Sequence, residues 1–326
     1  MIVPEYWAEA RLHTRNKGRS VTVRRFGWSD AGQAEAEAHA QARVQEAFDR
    51  IVSGEKLPRR ELRSNYGIHG VPIREQIVER HDGVVITRNS YGALCLNTPD
   101  VLFADVDFDT PPRGCGLTLG FSAVMLVAGF VLGAWQRQWL AGIAAACIVL
   151  LIANFIALRR KRRQWDKDGG PQARALARIE AFSNAHPDWH LRVYRSPAGL
   201  RVLAMQRTFA PDEAAVADCF HALGADQLYA TLCKVQHCFR ARLTGKPWRM
   251  GITRRIRPTV AAWSSEQAQR PERLAWIADY ERVARDFAAC HYLQSLGDVS
   301  KVDPRAEQVR ALHDAMTRAG SDLPLA

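Results

Sequence analysis

Apolar and polar positions along this chain follow helical and strand periods except in one place, where the polar positions disappear. Two charge-free stretches, Gly114 to Gln136 and Gln138 to Leu158, are separated by Arg137 alone. At about 1.5 Å per helical residue each reaches roughly 30 Å, the thickness of the hydrocarbon core of a bilayer. The pattern predicts a transmembrane helical hairpin over residues 114–158, with spans at about 115–135 and 139–158. Arg159, Arg160, Lys161, Arg162 and Arg163 follow the second span directly. Such a cluster belongs on the cytoplasmic side. Both termini are therefore expected in the cytoplasm, with the turn at Arg137 outside, in a multi-pass protein of the inner (plasma) membrane. Trp135, Trp139 and Trp165 suit the two interfaces, and Gly129 and Gly133 with Gly142 and Ala146 would let the helices approach closely.

Before the hairpin, Ser20 to Trp28 reads as a strand and Ala31 to Val52 as a helix capped by Ser29 or Asp30 and closed by Gly54. Pro58 to Tyr66 reads as a loop. From Glu75 to Phe108 four short β-like runs, EQIVER, GVVITRN, GALCLN and VLFADVDF, are split by turn residues and predict a meander. Beyond the hairpin, Asp166 to Gly170 breaks the chain and Pro171 to Asn184 is an amphipathic helix. Trp189 to Tyr194 and Leu200 to Met205 flank a tight turn at Ser196 to Gly199. Pro211 to Leu223 and Asp226 to His237 read as helices and Cys238 to Leu243 as a strand. Pro271 to Leu296 is expected to be mostly helical, and Pro304 to Ala319 is a last helix stopped by Gly320.

Strands on both sides of the hairpin predict an α+β fold: a cytosolic mixed or antiparallel sheet with flanking helices, interrupted by the membrane hairpin. Residues 1–113 and 159–326 would then be two parts of one packed cytosolic domain. The alternative is two separate domains.

Charge sharpens this outline. The net charge of +11 is unevenly spread: from Gln227 to Ser265 there are eight Lys or Arg and no acidic residue. Such a field suits phosphate groups of nucleic acid or of anionic lipid, or is simply a solvated basic face. Arg240, Arg242, Lys246 and Arg249 surround Trp248, a mixture that can grip single-stranded nucleic acid by phosphate pairing and stacking, or rest on lipid headgroups. The seven cysteines form no paired framework and are expected as reduced thiols. Cys219, His221, Cys233, His237 and Cys238 offer soft ligands but no CxxC pair, and read as buried side chains. None of the patterns GxxxxGK[ST], GxGxxG and GxSxG occurs, which leaves P-loop, dinucleotide and hydrolase readings without support.

The sharpest chemical feature is Asp105 and Asp107 at i and i+2 in the apolar run VLFADVDFD. Strand alternation puts both carboxylates on one face. Paired carboxylates of this kind can hold Mg²⁺ or Mn²⁺ and through it a nucleoside triphosphate, and they are also what a strand end turning polar would contain.

The pattern Leu102 to Phe108 resembles the first motif of the archaeo-eukaryotic primase superfamily, nucleotidyltransferases with a split α+β core. Ser196-Pro197-Ala198-Gly199-Leu200-Arg201 is similar to the second motif, with Arg201 where that family has His. Phe239 to Pro247 is similar to the Arg, Gly and Lys pattern near the third. The resemblance implies catalytic and metal-binding roles for Asp105 and Asp107, with Mg or Mn as cofactor. It also implies phosphate or nucleic-acid contacts from Ser196, Arg201, Arg240, Arg242 and Lys246, to which the basic run around Trp248 adds Arg249. Arg201 could hold phosphate but cannot exchange protons as His does. No acidic residue lies between Asp226 and Glu266 to complete a metal site.

Three functions are therefore expected in order. The first is a membrane-anchored cytosolic module with a primase-like phosphate or nucleotide pocket, catalytic or degenerate. The second is a structural or interaction protein whose basic surface meets anionic lipid or a membrane partner, and the third an active nucleotidyltransferase.

Overall fold

The computed structural model describes residues 3–16, 19–61, 71–110, 119–167, 169–258 and 263–326. The first residues of the expected first span, Gly114 to Thr118, lie outside the described residues, as do Leu62 to Tyr66 of the expected loop. The chain divides into two compact units, Met1–Val106 with Ala181–Ala326, and Asp107–Glu180. It is a mixed α+β structure with antiparallel sheets.

In the first unit, β1 (Tyr6–Asn16) and β2 (Arg19–Ser29) form a long antiparallel hairpin in register from Tyr6↔Ser29. Polar residues on the outer face of β1 hide it from a hydropathy reading, because only Ala8, Ala10 and Leu12 carry the alternation. The helix α1 (Gln33–Val52) lays Ala36, Ala40, Val44 and Ala47 on this hairpin against Ala10 and Val23. Contact is so close that a Cβ on Gly27 would stand 2.2 Å from the Ala40 backbone nitrogen. The cap of α1 is Gly32 rather than Ser29 or Asp30; the Ser29 hydroxyl accepts from the Ala31 N–H instead.

One four-stranded sheet has the order β3 (Gln76–His81), β4 (Val84–Arg88), β5 (Leu94–Thr98), β9 (Phe239–Arg242), with every pair antiparallel. A second has the order β10 (His291–Gly297), β7 (His190–Ser196), β8 (Gly199–Ala204), β6 (Phe103–Asp107). The expected meander is therefore corrected at its fourth strand. Leu102, Phe103, Ala104 and Val106 are all fully buried, so β6 needs cover on both faces. It lies beside β8, where Ala204 N–H donates to Leu102 O, while β9 takes the place next to β5 through Leu96↔Ala241.

A second correction falls in Pro271 to Leu296. The helix α7 (Pro271–Ala284) is shorter than expected, and HYLQSLG becomes the edge strand β10, pairing with β7 from His291↔Arg195. Up to Leu296 that segment contains nothing hostile to a helix, and an open sheet edge decides its state. The helices α5 (Ala214–Leu223), α6 (Gln227–Gln236) and α8 (Pro304–Thr317) complete the unit. Asp226 and Asp303 cap the last two, and α8 ends on a left-handed Arg318 (φ 58°), two residues before the expected stop at Gly320.

The second unit is a pair of apolar helices, α2 (Leu119–Trp135) and α3 (Trp139–Lys167), followed by most of α4 (Gly170–Ala185). They turn at Arg137 and pack on small residues: a Cβ on Gly129 would lie 2.5 Å from Ala146 Cβ, and one on Gly142 2.3 Å from Gly129 O. Among the described residues only Trp139–Arg163 is long and apolar enough to cross a membrane, with mean hydropathy 2.5 over its best window and 6% of that window buried. Gly120–Trp135 is shorter. The cation cluster stays helical within α3, so the chain breaks after Lys167 rather than at Asp166.

Candidate functional site

Asp105 and Asp107 stand two apart on β6, Asp105 half-buried and Asp107 exposed at the strand end. Arg201, from the neighbouring strand β8, donates from Nε to Asp105 Oδ1 at 2.9 Å. Its Nη1 donates to Arg242 O on β9 at 2.8 Å and to His313 Nε2 at 3.3 Å. With 3% of its surface exposed, Arg201 therefore ties the two four-stranded sheets together from inside. It is not open to a phosphate as the primase-like reading expects, because strand pairing turns it inward, where Asp105 is its counterion.

His313 extends this contact into a chain of buried polar groups. An arginine N–H can only donate, so His313 Nε2 must accept, and the imidazole proton sits on Nδ1, donating to Asp314 Oδ1 at 2.9 Å. Burial pushes the His313 pKa down to about 4, with the charge of Arg201 adding to the effect against the pull of Asp314, so the ring is neutral at neutral pH. Asp314 Oδ2 accepts from Arg192 Nη2 at 3.2 Å and from Arg310 Nη1 at 2.9 Å. Burial would raise the Asp314 pKa, yet the His313 hydrogen bond and nearby Arg192 hold it below the usual carboxylate range.

Cys290 Sγ is 3.9 Å from His313 Nε2, which places cysteine, histidine and aspartate in one line. The arrangement does not make a nucleophile. His313 Nε2 is already taken by Arg201, both side chains are fully buried, and burial raises the thiol pKa.

The other expected residues are scattered around this centre. Ser196 Oγ donates to Gly199 O at 3.1 Å and closes its own turn. Arg240 Nη2 donates to Glu75 Oε2 at 2.6 Å, and Arg242 Nη1 to the carbonyls of Thr244 and Ala326 at 2.7 and 3.2 Å. Lys246 lies with Nζ 5.6 Å from the ring centre of Trp248, which is 58% exposed, and Arg249 ends the short 3-10 turn Pro247–Arg249. Tyr229 joins the same two sheets as Arg201, its hydroxyl lying 2.8 Å from Phe103 O and 3.0 Å from Arg240 O.

Among the described residues no group of three or more His, Cys, Asp or Glu could hold a metal ion. Cys219 and Cys233 are buried thiols with pKa values pushed up to about 12 by burial, and Cys238 is likewise buried and raised.

His313 was legible as a core position: Ala306, Val309, His313 and Thr317 are the buried stripe of α8 at helical spacing. Glu75 carries no such signal, since its partner Arg240 lies far away in sequence. No family model, curated protein or solved structure matches the chain.

Proposed function

We propose that this chain is a membrane-anchored module that binds its ligand without transforming it, with α2 and α3 as a two-span hairpin and the first unit in the cytoplasm. The observation that carries this reading is the exposure of the helical pair. Val124, Val127, Val131, Leu140, Leu151 and Ile152 are each more than half exposed on helices with no charge between Leu119 and Gln136 or between Gln138 and Leu158. A soluble core helix would cover such side chains, whereas lipid solvates them. The cations Arg159 to Arg163 support the orientation.

The catalytic alternative is disfavoured by the Asp105–Arg201 contact, since a guanidinium already occupies the carboxylate that would take Mg²⁺ or Mn²⁺. Ligand recognition in this reading falls to the half-buried Lys246 and Arg249, which flank Trp248 in sequence, and to the exposed Arg254, Arg255 and Arg257 that follow, Arg254 being paired with Asp279 at 3.1 Å. Their chemistry suits phosphate groups of a nucleotide, of single-stranded nucleic acid or of anionic lipid. The exposed Trp248 beside Lys246 favours the lipid reading as the second possibility, because an indole prefers the headgroup region.

Topology and chemistry are tested separately. Arg137→Cys should react with a membrane-impermeant maleimide from outside intact cells, and a fluorescent protein fused to the C-terminus should fold and glow. Recovery of the chain in the soluble fraction would overturn the anchor. Purified protein with Mg²⁺ or Mn²⁺ should incorporate no labelled nucleotide. Incorporation that disappears in Asp105→Ala with Asp107→Ala would restore the enzyme reading.

A further inference from the structure

A small cavity of about 20 Å³ lies in the first unit, lined among others by Arg74, Arg88 and Arg273. Its enclosed end has room for one water-sized group, and its mouth opens to solvent. Two of the three guanidiniums are buried: Arg88 is 4% and Arg273 5% exposed. Arg88 donates to Gly92 O at 3.0 Å and to Glu281. Arg273 donates from Nη2 to Gln76 Oε1 at 2.7 Å and lies 5.0 Å from the centre of the Trp263 ring. Among the described residues no carboxylate pairs with Arg273. The Nε of each is buried and bonded to nothing in the protein.

A buried arginine normally has a counterion. Here burial and the neighbouring charge of Arg88 press on Arg273 together, lowering its pKa to about 10, which still leaves it charged at neutral pH. Arg74, donating from Nε to Trp263 O at 2.8 Å, adds a third positive charge at the rim. The lining also contains one acid. Glu75 is 3% exposed, with Oε2 held by Thr87 and Arg240 and with Oε1 buried and bonded to nothing in the protein.

We infer that this cavity is a binding site for inorganic hydrogenphosphate, with Arg88 and Arg273 as donors to its oxygens and Glu75 Oε1 as acceptor of its remaining proton. Three guanidiniums around one opening ask for an oxyanion, and the narrow end admits one of its oxygens. The acceptor narrows the class. Hydrogenphosphate carries an O–H to give to Glu75. Sulfate is fully ionised at neutral pH and would meet the carboxylate with repulsion, and a phosphomonoester, with its second pKa near 6, has mostly lost that proton.

The full-length protein in detergent micelles is titrated with phosphate, sulfate or glycerol phosphate at constant ionic strength set by chloride, and thermal unfolding is followed. Phosphate should raise the Tm saturably. Sulfate and glycerol phosphate should need about tenfold more to reach the same shift. Arg273→Met should unfold at the same or a higher temperature without phosphate, because a buried cation has gone, and should lose the phosphate shift. If that variant does not fold, Arg273→Lys, which keeps the charge without the planar fork, should raise the half-saturating phosphate by about tenfold. No phosphate effect beyond that of chloride would overturn the site, as would a half-saturating concentration unchanged in either variant. Sulfate or glycerol phosphate acting as strongly as phosphate would overturn hydrogenphosphate as the ligand.

Discussion

Arg201 Nε lies 2.9 Å from Asp105 Oδ1, and the same guanidinium reaches Arg242 O and His313 Nε2, so one buried cation links β6, β8, β9 and α8. Among the described residues its charge is matched by a single half-buried carboxylate. Removing either partner therefore acts on stability before it acts on any chemistry.

Asp105→Ala should destabilise the protein by about 3 kcal/mol, because it strands a buried guanidinium. Asp107→Ala, at an exposed strand end, should cost less than about 0.5 kcal/mol. Denaturant titration of the two variants checks this. A pair of carboxylates whose common task was to hold a metal would instead show similar, small effects without the ion.

His313 makes stability depend on pH. Its pKa falls from 6.5 to about 4 on folding, so the unfolded chain binds the additional proton between these values. Stability is then fully present above pH 6.5 and declines as pH falls towards 4, by roughly 3 kcal/mol in total. The contribution of Asp314, also lowered, is lost further down in the same direction. Denaturant unfolding across this range should slope in that sense, and the part of the slope between pH 6.5 and 4 should disappear in His313→Gln, measured relative to its own stability at neutral pH.

Gly27→Ala should be among the most damaging single-methyl changes in the chain. The added carbon would stand 2.2 Å from Ala40 N and 2.3 Å from Ala36 O, both backbone atoms of α1. The helix must lift from the β1–β2 hairpin, at a cost of about 2 kcal/mol or more. Lower thermal stability together with faster amide exchange in Ala36 to Ala47 is the expected result.

Thiol labelling reports the packing directly. Cys95, Cys219, Cys233, Cys238 and Cys290 are all buried, and for Cys219 and Cys233 burial pushes the pKa up to about 12. All five should stay unmodified by iodoacetamide at pH 8 until the protein is denatured, as read by peptide mass spectrometry.

What the sequence determined by itself is what depends on neighbours along the chain. The apolar pair α2 and α3, the hairpin turn at Ser196 to Gly199, the capped start of α6 at Asp226 and the proline start of α8 all follow from local composition and spacing. The strand at Leu102 to Phe108 was equally legible, together with the placing of Asp105 and Asp107. Only the tertiary structure decided which strand β6 lies beside, and thereby that Asp105 meets Arg201. The same holds for β10, whose sequence suits a helix until the free edge of β7 offers hydrogen bonds, and for Arg273, which meets Gln76 and the charge of Arg88 across almost two hundred residues. Burial and strand partnership are properties of the assembled chain. A carboxylate or a guanidinium reads identically in sequence whether it waits for a ligand or already holds its counterion.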